Sequence, residues 1–276
     1  MPSTVLVRSL FRHAWTLFLF TKSDIKTTLI PISIFAIASA PIHSASHVPH
    51  VVFWVWLHLL QFDVSNQLMD PDEDNHNKPD RPLPAKRISY RNATIMRWAL
   101  VPLCWGLSAL YSSYVLCASV ALVAFTVIYD ELHAHSGHFA VRNVVNAAGF
   151  ASFELGSTLI SGTDPSRFTS TMLLAISISA GIFATTIQAQ DFKDIRGDSL
   201  IGRKTLPIVL PSVARPTLLV ALLVWSLSLT HIWRLDFTTA CTLIALSCFV
   251  GVRFVFLQGE KDDQISFYWY NVSLSV

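Results

Sequence analysis

The chain has 276 residues, of which 52% are hydrophobic and only 14% charged, and its mean hydropathy is +0.49. Because a typical soluble domain carries about 25% charged residues, these values exclude a disordered chain, a nucleic-acid-binding module and most soluble enzymes. The formal net charge of +2 is too small to indicate a polyanionic partner, so the composition predicts an integral membrane protein embedded in a lipid bilayer.

The first element in chain order is an N-terminal segment, residues 1–26, in which Arg8 and Arg12 interrupt an apolar run. This pattern is typical of an amphipathic helix that lies in the membrane interface. From residue 27 to residue 276 the chain forms one transmembrane domain of apolar stretches near bilayer length, which is about 17–25 residues for a helix. The stretches are 27–47, 51–69, 97–113, 115–130, 143–162, 170–190, 216–233 and 237–257, with a short aromatic ninth at 264–276. The sequence therefore predicts an all-α membrane bundle of eight or nine transmembrane helices.

The distribution of Lys and Arg predicts the orientation of these helices. If the N-terminus is cytoplasmic, Arg167 and Arg234 are the only Lys or Arg residues on the opposite side of the membrane. Such an asymmetry is a strong positive-inside signal. It places two polar loops, 63–97 and 188–215, on the same cytoplasmic side, and each of these loops is rich in both acidic and basic residues.

The first polar loop begins with an acidic cluster at the end of the second span. Asn66, Asp70 and Asp74 are spaced i, i+4 and i+8, so they share one face if the helix persists. Pro71 is tolerated only in a first or broken helical turn, which leaves the alternative that the loop itself places Asp74.

The second polar loop repeats the pattern after the sixth span. Asp191, Asp194 and Asp198 are spaced i, i+3 and i+7, again on one helical face. Carboxylates packed this densely repel one another and are costly near hydrocarbon, and a bound cation removes both penalties. Oxygen ligands without His or Cys at ligand spacing favour Mg²⁺ over zinc or copper.

Basic residues are interleaved with both acidic clusters. They are Lys78, Arg81, Lys193, Arg196, Arg203 and Lys204. Because Mg²⁺ is often shared between carboxylates and substrate phosphates, this mixture predicts a site for a diphosphate with an apolar tail that runs into the bundle. The predicted chemistry is loss of the diphosphate from an allylic carbon. The alternative is that the two clusters are solvated, acid-capped helix ends. If the chain had only one such cluster, this alternative would be as plausible as a diphosphate site.

These residues carry a resemblance to a known family. The pattern from Asn66 through Asp70 and Asp74 to Lys78 and Arg81 resembles the first aspartate-rich motif of the UbiA superfamily. The pattern from Asp194 through Asp198 to Lys204 resembles the second. The resemblance implies a helical bundle around a central cavity and Mg²⁺-dependent use of an isoprenyl diphosphate, with 27–276 as the catalytic domain. It implies that Asn66, Asp70, Asp74, Asp194 and Asp198 bind metal and that Lys78, Arg81 and Lys204 contact the diphosphate.

Three departures separate the chain from many quinone-pathway members of the superfamily, namely Gln67 in the first motif, Gln190 before the second, and Gly197 in place of the first residue of the Asp-Asp pair that closes the second. The first motif is most similar to the fungal branch, which includes terpene cyclases. The leading hypothesis is therefore cyclisation of farnesyl or geranylgeranyl diphosphate in an endomembrane such as the endoplasmic reticulum, without an obligate protein partner. The alternatives are prenyl transfer to an aromatic or other small acceptor and, in a different class, a cation or phosphate transporter.

Further candidate residues lie around and within the spans. Asp191 and Lys193 extend the predicted metal and substrate sets, and Asp70, Asp74, Asp194 and Asp198 are the predicted catalytic residues. Asn146 and Glu154 lie inside the fifth span, where a polar side chain is functional by default. They are predicted to contact the substrate, and an interhelical hydrogen bond is an equally plausible role. The His133, His135 and His138 cluster is interpreted as a solvated loop.

Overall fold

The computed structural model describes residues 2–40, 44–69, 78–200 and 202–274, with side chains from residue 7 onward. Within these ranges the regular elements are helical, and the one extended pairing is an isolated parallel bridge between His138 and Lys204. The predicted all-α class is therefore confirmed.

Long helices joined by short turns make up the described chain. The α-helices are α1 (Pro2–Thr21), α2 (Ile30–Ser39), α3 (His47–Met69), α4 (Tyr90–Ala109), α5 (Ser113–Asp130), α6 (Phe139–Ser161), α7 (Ser170–Thr186), α8 (Ile195–Leu200), α9 (Leu206–Val209), α10 (Pro211–Ile232), α11 (Phe237–Phe256) and α12 (Glu260–Leu274). A π-helical turn, Ile25–Leu29, leads into α2, and two 3₁₀ turns, Ile187–Gln190 and Phe192–Asp194, separate α7 from α8.

Helices α4, α5 and α11 begin where the sequence supplies a capping side chain. The Ser89 hydroxyl accepts a hydrogen bond from the Asn92 N–H at the start of α4, and Ser112 does the same for Val115 at the start of α5. The Asp236 carboxylate caps α11 by accepting from the first free N–H groups of that helix. Each cap satisfies a backbone donor that the helix itself leaves without a partner.

Each of the nine predicted apolar stretches overlaps a helix in the structure. The helix in the first stretch, α2, ends at Ser39 rather than near residue 47. Among the described residues, four helical segments are long and apolar enough to cross a membrane. They are Ser113–Asp130, Ser170–Leu200, Pro211–Ile232 and Phe237–Phe256. The total of eight or nine spans stays a prediction.

The chain divides into two compact units, residues 1–131 with 152–174 and residues 132–151 with 175–276. In the first unit the end of α1 packs into the core, because Phe20 is fully buried among apolar side chains of α3 and α4. The Gln67 amide strengthens this contact by donating to the Phe20 carbonyl over 3.0 Å. The earlier turns of α1 leave Val7 and Phe11 largely exposed.

A fully buried tryptophan fixes the packing of α3 against α4 and α6 in the first unit. The Trp54 indole N–H donates to the Ser108 hydroxyl over 2.9 Å, and its ring stacks on His58 with centroids 3.9 Å apart. Phe153 meets the same ring edge-on. Gly156 is required beside the indole, because a Cβ atom there would lie 2.3 Å from a ring carbon.

We therefore expect Gly156→Ala to destabilise the protein by about 1–3 kcal/mol, the usual cost of overpacking a filled core. The matched control is Gly149→Ala in the same helix, where an added methyl group meets no atom within 4 Å. Unfolding of both variants in mixed detergent micelles measures the difference. Equal stability of the two variants would contradict the packing described for Trp54.

The core of the second unit lies directly against the second acidic motif. Its buried residues include Ala189 and Phe192 from the motif itself. The others come from α10, α11 and α12, namely Ala214, Leu218, Leu222, Val250, Phe254 and Tyr270. Helices α10 and α11 approach closely because Gly251 presents no side chain to Leu219, as is common between membrane helices. The second acidic motif therefore packs directly against a buried apolar core.

Candidate active site

The first acidic motif is only partly within the described residues. Asp70 and Asp74 lie outside them, since residues 70–77 are not described. Asn66 lies near the end of α3, and its amide group donates to Asp130 at the end of α5 over 3.3 Å. Ser65 donates to the other oxygen of the same carboxylate over 2.6 Å. The amide nitrogen of Asn66 faces Asp130, so its amide oxygen points away from Asp130. The oxygen is the atom of this side chain that can bind a cation.

Asp130 is a functional candidate that sequence reasoning missed. The sequence placed it beside a solvated histidine loop, but the structure buries it completely. His135 is also buried, so the interpretation of the His133, His135 and His138 cluster as a solvated loop is corrected at His135. The physical reason is that the Asp130 carboxylate satisfies two donors of α3, which draws the end of α5 against that helix. A buried acid that holds a predicted metal ligand is a positioning residue for that ligand.

Lys78 and Arg81 follow the undescribed segment in one tight turn, in which the Arg81 N–H donates to the Lys78 carbonyl over 3.0 Å. Both basic side chains interact electrostatically with Asp63, which is buried in α3. Asp80 lies between them and pairs with Lys22 at 2.8 Å. The hydrogen bond from Lys22 holds the pKa of Asp80 below its usual value. The turn that carries two predicted diphosphate contacts is thus tied to the end of α1.

The second acidic motif is described almost completely, and its backbone differs from the prediction. The sequence predicts one continuous helical face for Asp191, Asp194 and Asp198, whereas α7 ends at Thr186 and two 3₁₀ turns follow. Thr186 leaves helical geometry with φ −126° and ψ −8°, and its hydroxyl donates back to the Ile182 carbonyl over 2.7 Å. Such back-bonding competes with the helical hydrogen-bond pattern, and a 3₁₀ stretch within a helix often marks a functional position.

Each carboxylate of the second motif pairs with its own basic side chain. Arg142 contacts Asp191 at 2.6 Å, Arg203 contacts Asp198 at 3.1 Å, and Lys193 pairs with Asp194. The three ion pairs also influence one another, because Asp194 and Asp198 raise the energy of a charge on Asp191, and Arg142 acts on Asp198 as well as on Asp191. The sequence missed Arg142, whose signal was a lone basic residue in an otherwise apolar segment, one helical turn before Asn146.

The three carboxylates differ in their exposure. The Asp191 and Asp198 side chains are only 3% exposed, whereas that of Asp194 is 46% exposed. Burial of the first two is tolerable because each has a cationic partner. Asp194 is therefore the carboxylate of this motif that is most open to a cation and a substrate.

The donor atoms of the second motif fit Mg²⁺ by their chemistry, since all three acidic side chains offer oxygen. Within the described part of the chain, no group of three or more His, Cys, Asp or Glu side chains forms a ready metal site. In the described structure the cations that neutralise these oxygens are Arg142, Lys193 and Arg203.

The N-terminal part of α6 contacts the motif on both sides. The Asn143 amide group donates to the side-chain oxygen of Gln188, within the first 3₁₀ turn, over 3.3 Å. At the other side, the backbone bridge from His138 fixes the position of Lys204, whose side chain is exposed. Asn146, predicted to contact the substrate, instead donates to the Arg142 carbonyl over 3.0 Å. The amide oxygen of Asn146 is the atom through which this side chain can bind a ligand.

The remaining candidates are distributed over α6 and α7. Glu154 is buried, with 3% of its surface exposed, and belongs to the first unit. In the second unit Phe150 and Phe183 stack in parallel with centroids 4.2 Å apart. Stacked aromatic faces of this kind stabilise positive charge.

The fold and this motif define a helical membrane protein whose acidic residues alternate with basic ones. Residues 28–272 match the model of the UbiA prenyltransferase family. The chain therefore belongs to this family, as its motifs predict, and it is an integral membrane protein.

Two relatives with known activities are similar to nearly the whole chain. The fumagillin beta-trans-bergamotene synthase of Aspergillus fumigatus is 36% identical over 262 residues, which cover 92% of this chain and 87% of the relative. A diterpene cyclase of Hericium erinaceus is 31% identical over 260 residues, with coverages of 91% and 82%. Both belong to the fungal branch that the sequence indicates.

A solved structure confirms the fold class. A UbiA homolog from Archaeoglobus fulgidus, bound to GPP and Mg²⁺, aligns with a TM-score of 0.69. The alignment covers 95% of this chain and 99% of that one at 15% sequence identity. At this identity the likeness concerns the fold alone.

Proposed function

We propose that the protein is a Mg²⁺-dependent membrane enzyme that ionises an allylic isoprenyl diphosphate and cyclises the hydrocarbon to a terpene. The observation that carries the proposal is the state of Asp194. It is a half-exposed carboxylate beside Lys193, within a motif whose other two carboxylates are buried and already neutralised. An open acid next to a cation suits joint binding of a metal ion and a phosphate.

The proposed metal ligands are the side-chain oxygens of both motifs, Asn66, Asp70, Asp74, Asp191, Asp194 and Asp198. Lys78, Arg81, Lys193 and Lys204 are proposed to donate to phosphate oxygens, and Asn146 and Glu154 to contact the substrate. When bound, Mg²⁺ stabilises the negative charge that develops on the departing diphosphate. Support comes from the Archaeoglobus homolog, which binds GPP and Mg²⁺ in the same fold.

The proposed reaction breaks the bond between C1 of the allylic chain and the diphosphate oxygen, and the electron pair leaves with the diphosphate. A distal double bond of the same chain then attacks the allylic cation, and transfer of a proton from the cyclic cation to the released diphosphate forms the final double bond. The basic side chains assist the first step by compensating charge on the leaving group. Phe150 and Phe183 are proposed to stabilise the cation, since they present stacked aromatic faces.

Cyclisation is favoured over prenyl transfer by the two fungal relatives, which are named a bergamotene synthase and a diterpene cyclase. Farnesyl and geranylgeranyl diphosphate are the proposed substrates. The proposed location is the endoplasmic reticulum or another endomembrane, with the acidic motifs on the cytoplasmic side, as the Lys and Arg distribution predicts. The exposed apolar residues Val7 and Phe11 of α1 support an interfacial position for residues 1–26.

The test uses membranes that contain the full chain, supplied with Mg²⁺ and either farnesyl or geranylgeranyl diphosphate but no acceptor. We expect a cyclic hydrocarbon, and membranes without the protein give the background. Linear alcohols alone, with a prenylated product on addition of a phenol, would establish the transferase alternative. Absence of any diphosphate release under both conditions would overturn the enzymatic proposal.

A further inference from the structure

The last helix of the described chain, α12, contacts both 3₁₀ turns that carry the second acidic motif. Three of its residues, Asp263, Phe267 and Tyr270, follow one another at i, i+4 and i+7 and therefore lie along one face. Asp263 and Tyr270 are buried, with only 1% and 2% of their surface exposed. This face, which we call the α12 stripe, meets the motif at three successive points.

The first point is the residue at which α7 ends. The hydroxyl groups of Tyr270 and Thr186 are hydrogen-bonded over 2.8 Å, and both side chains are buried. Thr186 is the residue at which the helix changes to 3₁₀ geometry. Tyr270 therefore holds the break that redirects the chain before Asp191.

The second point is reached through Arg215 of α10. Its two terminal nitrogens donate to the two Asp263 oxygens over 2.7 and 2.9 Å. The guanidinium carbon lies 4.5 Å from the centre of the Phe192 ring. Phe192 is the residue between Asp191 and Lys193, and it is 3% exposed. Asp263 therefore holds the Arg215 side chain in place, and Arg215 packs over Phe192 in the middle of the motif.

The third point is Lys193, whose ammonium nitrogen lies 5.5 Å from the centre of the Phe267 ring. This distance is within the range of a cation–π interaction. The same ammonium group pairs with Asp194, the most exposed carboxylate of the motif. Phe267 thereby restricts the position of the Lys193 ammonium group. Through the ion pair it also restricts the position of the Asp194 carboxylate.

We propose that the α12 stripe is a positioning element for the second motif, and that it holds the 3₁₀ turns in the geometry in which Asp194, the most exposed carboxylate of the motif, can bind a divalent cation. The proposal rests on the proposed function, since it assigns the cation to this motif. Its residues act through the motif and are positioning residues rather than catalytic ones. All three contacts depend on a polar or charged group, so they restrict the orientation of the side chains as well as their burial.

The test compares Tyr270→Phe with Tyr268→Phe, two removals of one hydroxyl group from the same helix. Tyr268 is 52% exposed, whereas Tyr270 is 2% exposed and hydrogen-bonded. Binding of Mn²⁺ to the purified full-length protein in the presence of inorganic pyrophosphate is followed by the EPR signal of free Mn²⁺, and the same mixture without protein is the reference because pyrophosphate itself binds Mn²⁺. We expect Tyr270→Phe to weaken Mn²⁺ binding roughly 2- to 10-fold, the usual weight of one neutral hydrogen bond, and Tyr268→Phe to bind as the wild type does.

Hydrogen exchange supplies a readout that does not depend on the metal. In Tyr270→Phe the backbone amides of residues 187–194 should exchange faster, while the rest of the chain keeps its protection. In a Thr186→Val background, Tyr270→Phe should cause no further loss of protection, because the hydrogen bond is already lost and the change removes a buried hydroxyl group that has no partner. Faster exchange throughout the chain would instead show a general structural role and overturn the proposal.

The outcomes separate this proposal from the proposed reaction. Unchanged Mn²⁺ binding and unchanged exchange in Tyr270→Phe would overturn the positioning role, whatever reaction the protein catalyses. Weakened binding, with no terpene or prenylated product from the wild type, would support the positioning role and overturn the reaction. A wild-type protein that binds no Mn²⁺ with pyrophosphate would overturn both.

Discussion

Replacing Asp194 with Asn should lower turnover of an allylic diphosphate by at least about 100-fold while the protein remains folded and inserted. The substitution keeps the size of the side chain and removes the negative charge that the metal needs. Removal of a single group that stabilises developing charge commonly costs about 10²–10³ in rate. The Asp194 side chain is 46% exposed and that of its partner Lys193 is 17% exposed, so the change removes a partly solvated ion pair and should cost only about 1 kcal/mol of stability. The measurement is diphosphate release by purified protein, together with its thermal unfolding.

Asp262→Asn is the matched control, since it makes the same chemical change at an exposed acid outside the motif. It should keep wild-type turnover. In the first motif, Asp70→Ala should abolish turnover for the reason that applies to Asp194. Retained activity in either motif variant would remove that residue from the proposed metal-binding set.

The largest loss of stability is expected from Arg215→Met. Asp263 would then stay buried, with 1% of its surface exposed, without the two hydrogen bonds that Arg215 donates. Breaking a buried ion pair by removing one partner commonly costs about 3–5 kcal/mol, because the other charge is left uncompensated. Unfolding in mixed micelles measures this cost. A second change, Asp263→Leu in the same chain, should restore much of the stability.

Lys22→Met is the comparison for that experiment. It breaks the Lys22–Asp80 pair, whose side chains are 53% and 63% exposed. Solvent screens such a pair, so its loss should cost less than about 1 kcal/mol. Similar losses in Arg215→Met and Lys22→Met would show that the Arg215–Asp263 pair is less isolated from water than its burial indicates.

The helices could be predicted because their signal is local. A run of apolar residues near bilayer length has few alternatives to a helix, since every backbone polar group must be satisfied within the segment. For the same reason the positions of α5, α10 and α11 closely match the predicted spans. The acidic motifs could likewise be found from spacing, since residue type and interval are visible in one chain.

The arrangement around the second motif could not be predicted in this way. Arg142 and Asp191 are 49 residues apart, and Arg215 and Asp263 are 48 residues apart. No helical periodicity connects such positions, so each pair becomes visible only when the helices pack. The break at Thr186 has a local part that the sequence contains, the hydroxyl bond to Ile182, and a part that it hides, the hydrogen bond to Tyr270, which is 84 residues away.

If Asp194 binds the proposed cation, its ion pair with Lys193 should couple the affinities of two ligands. A divalent cation that engages the carboxylate displaces the ammonium group, which is then available to a phosphate oxygen. By thermodynamic reciprocity, an anion that attracts the lysine must equally favour occupation of the carboxylate by the cation. The two ligands should therefore bind with positive heterotropic cooperativity, and either one alone should saturate the protein only at elevated concentration.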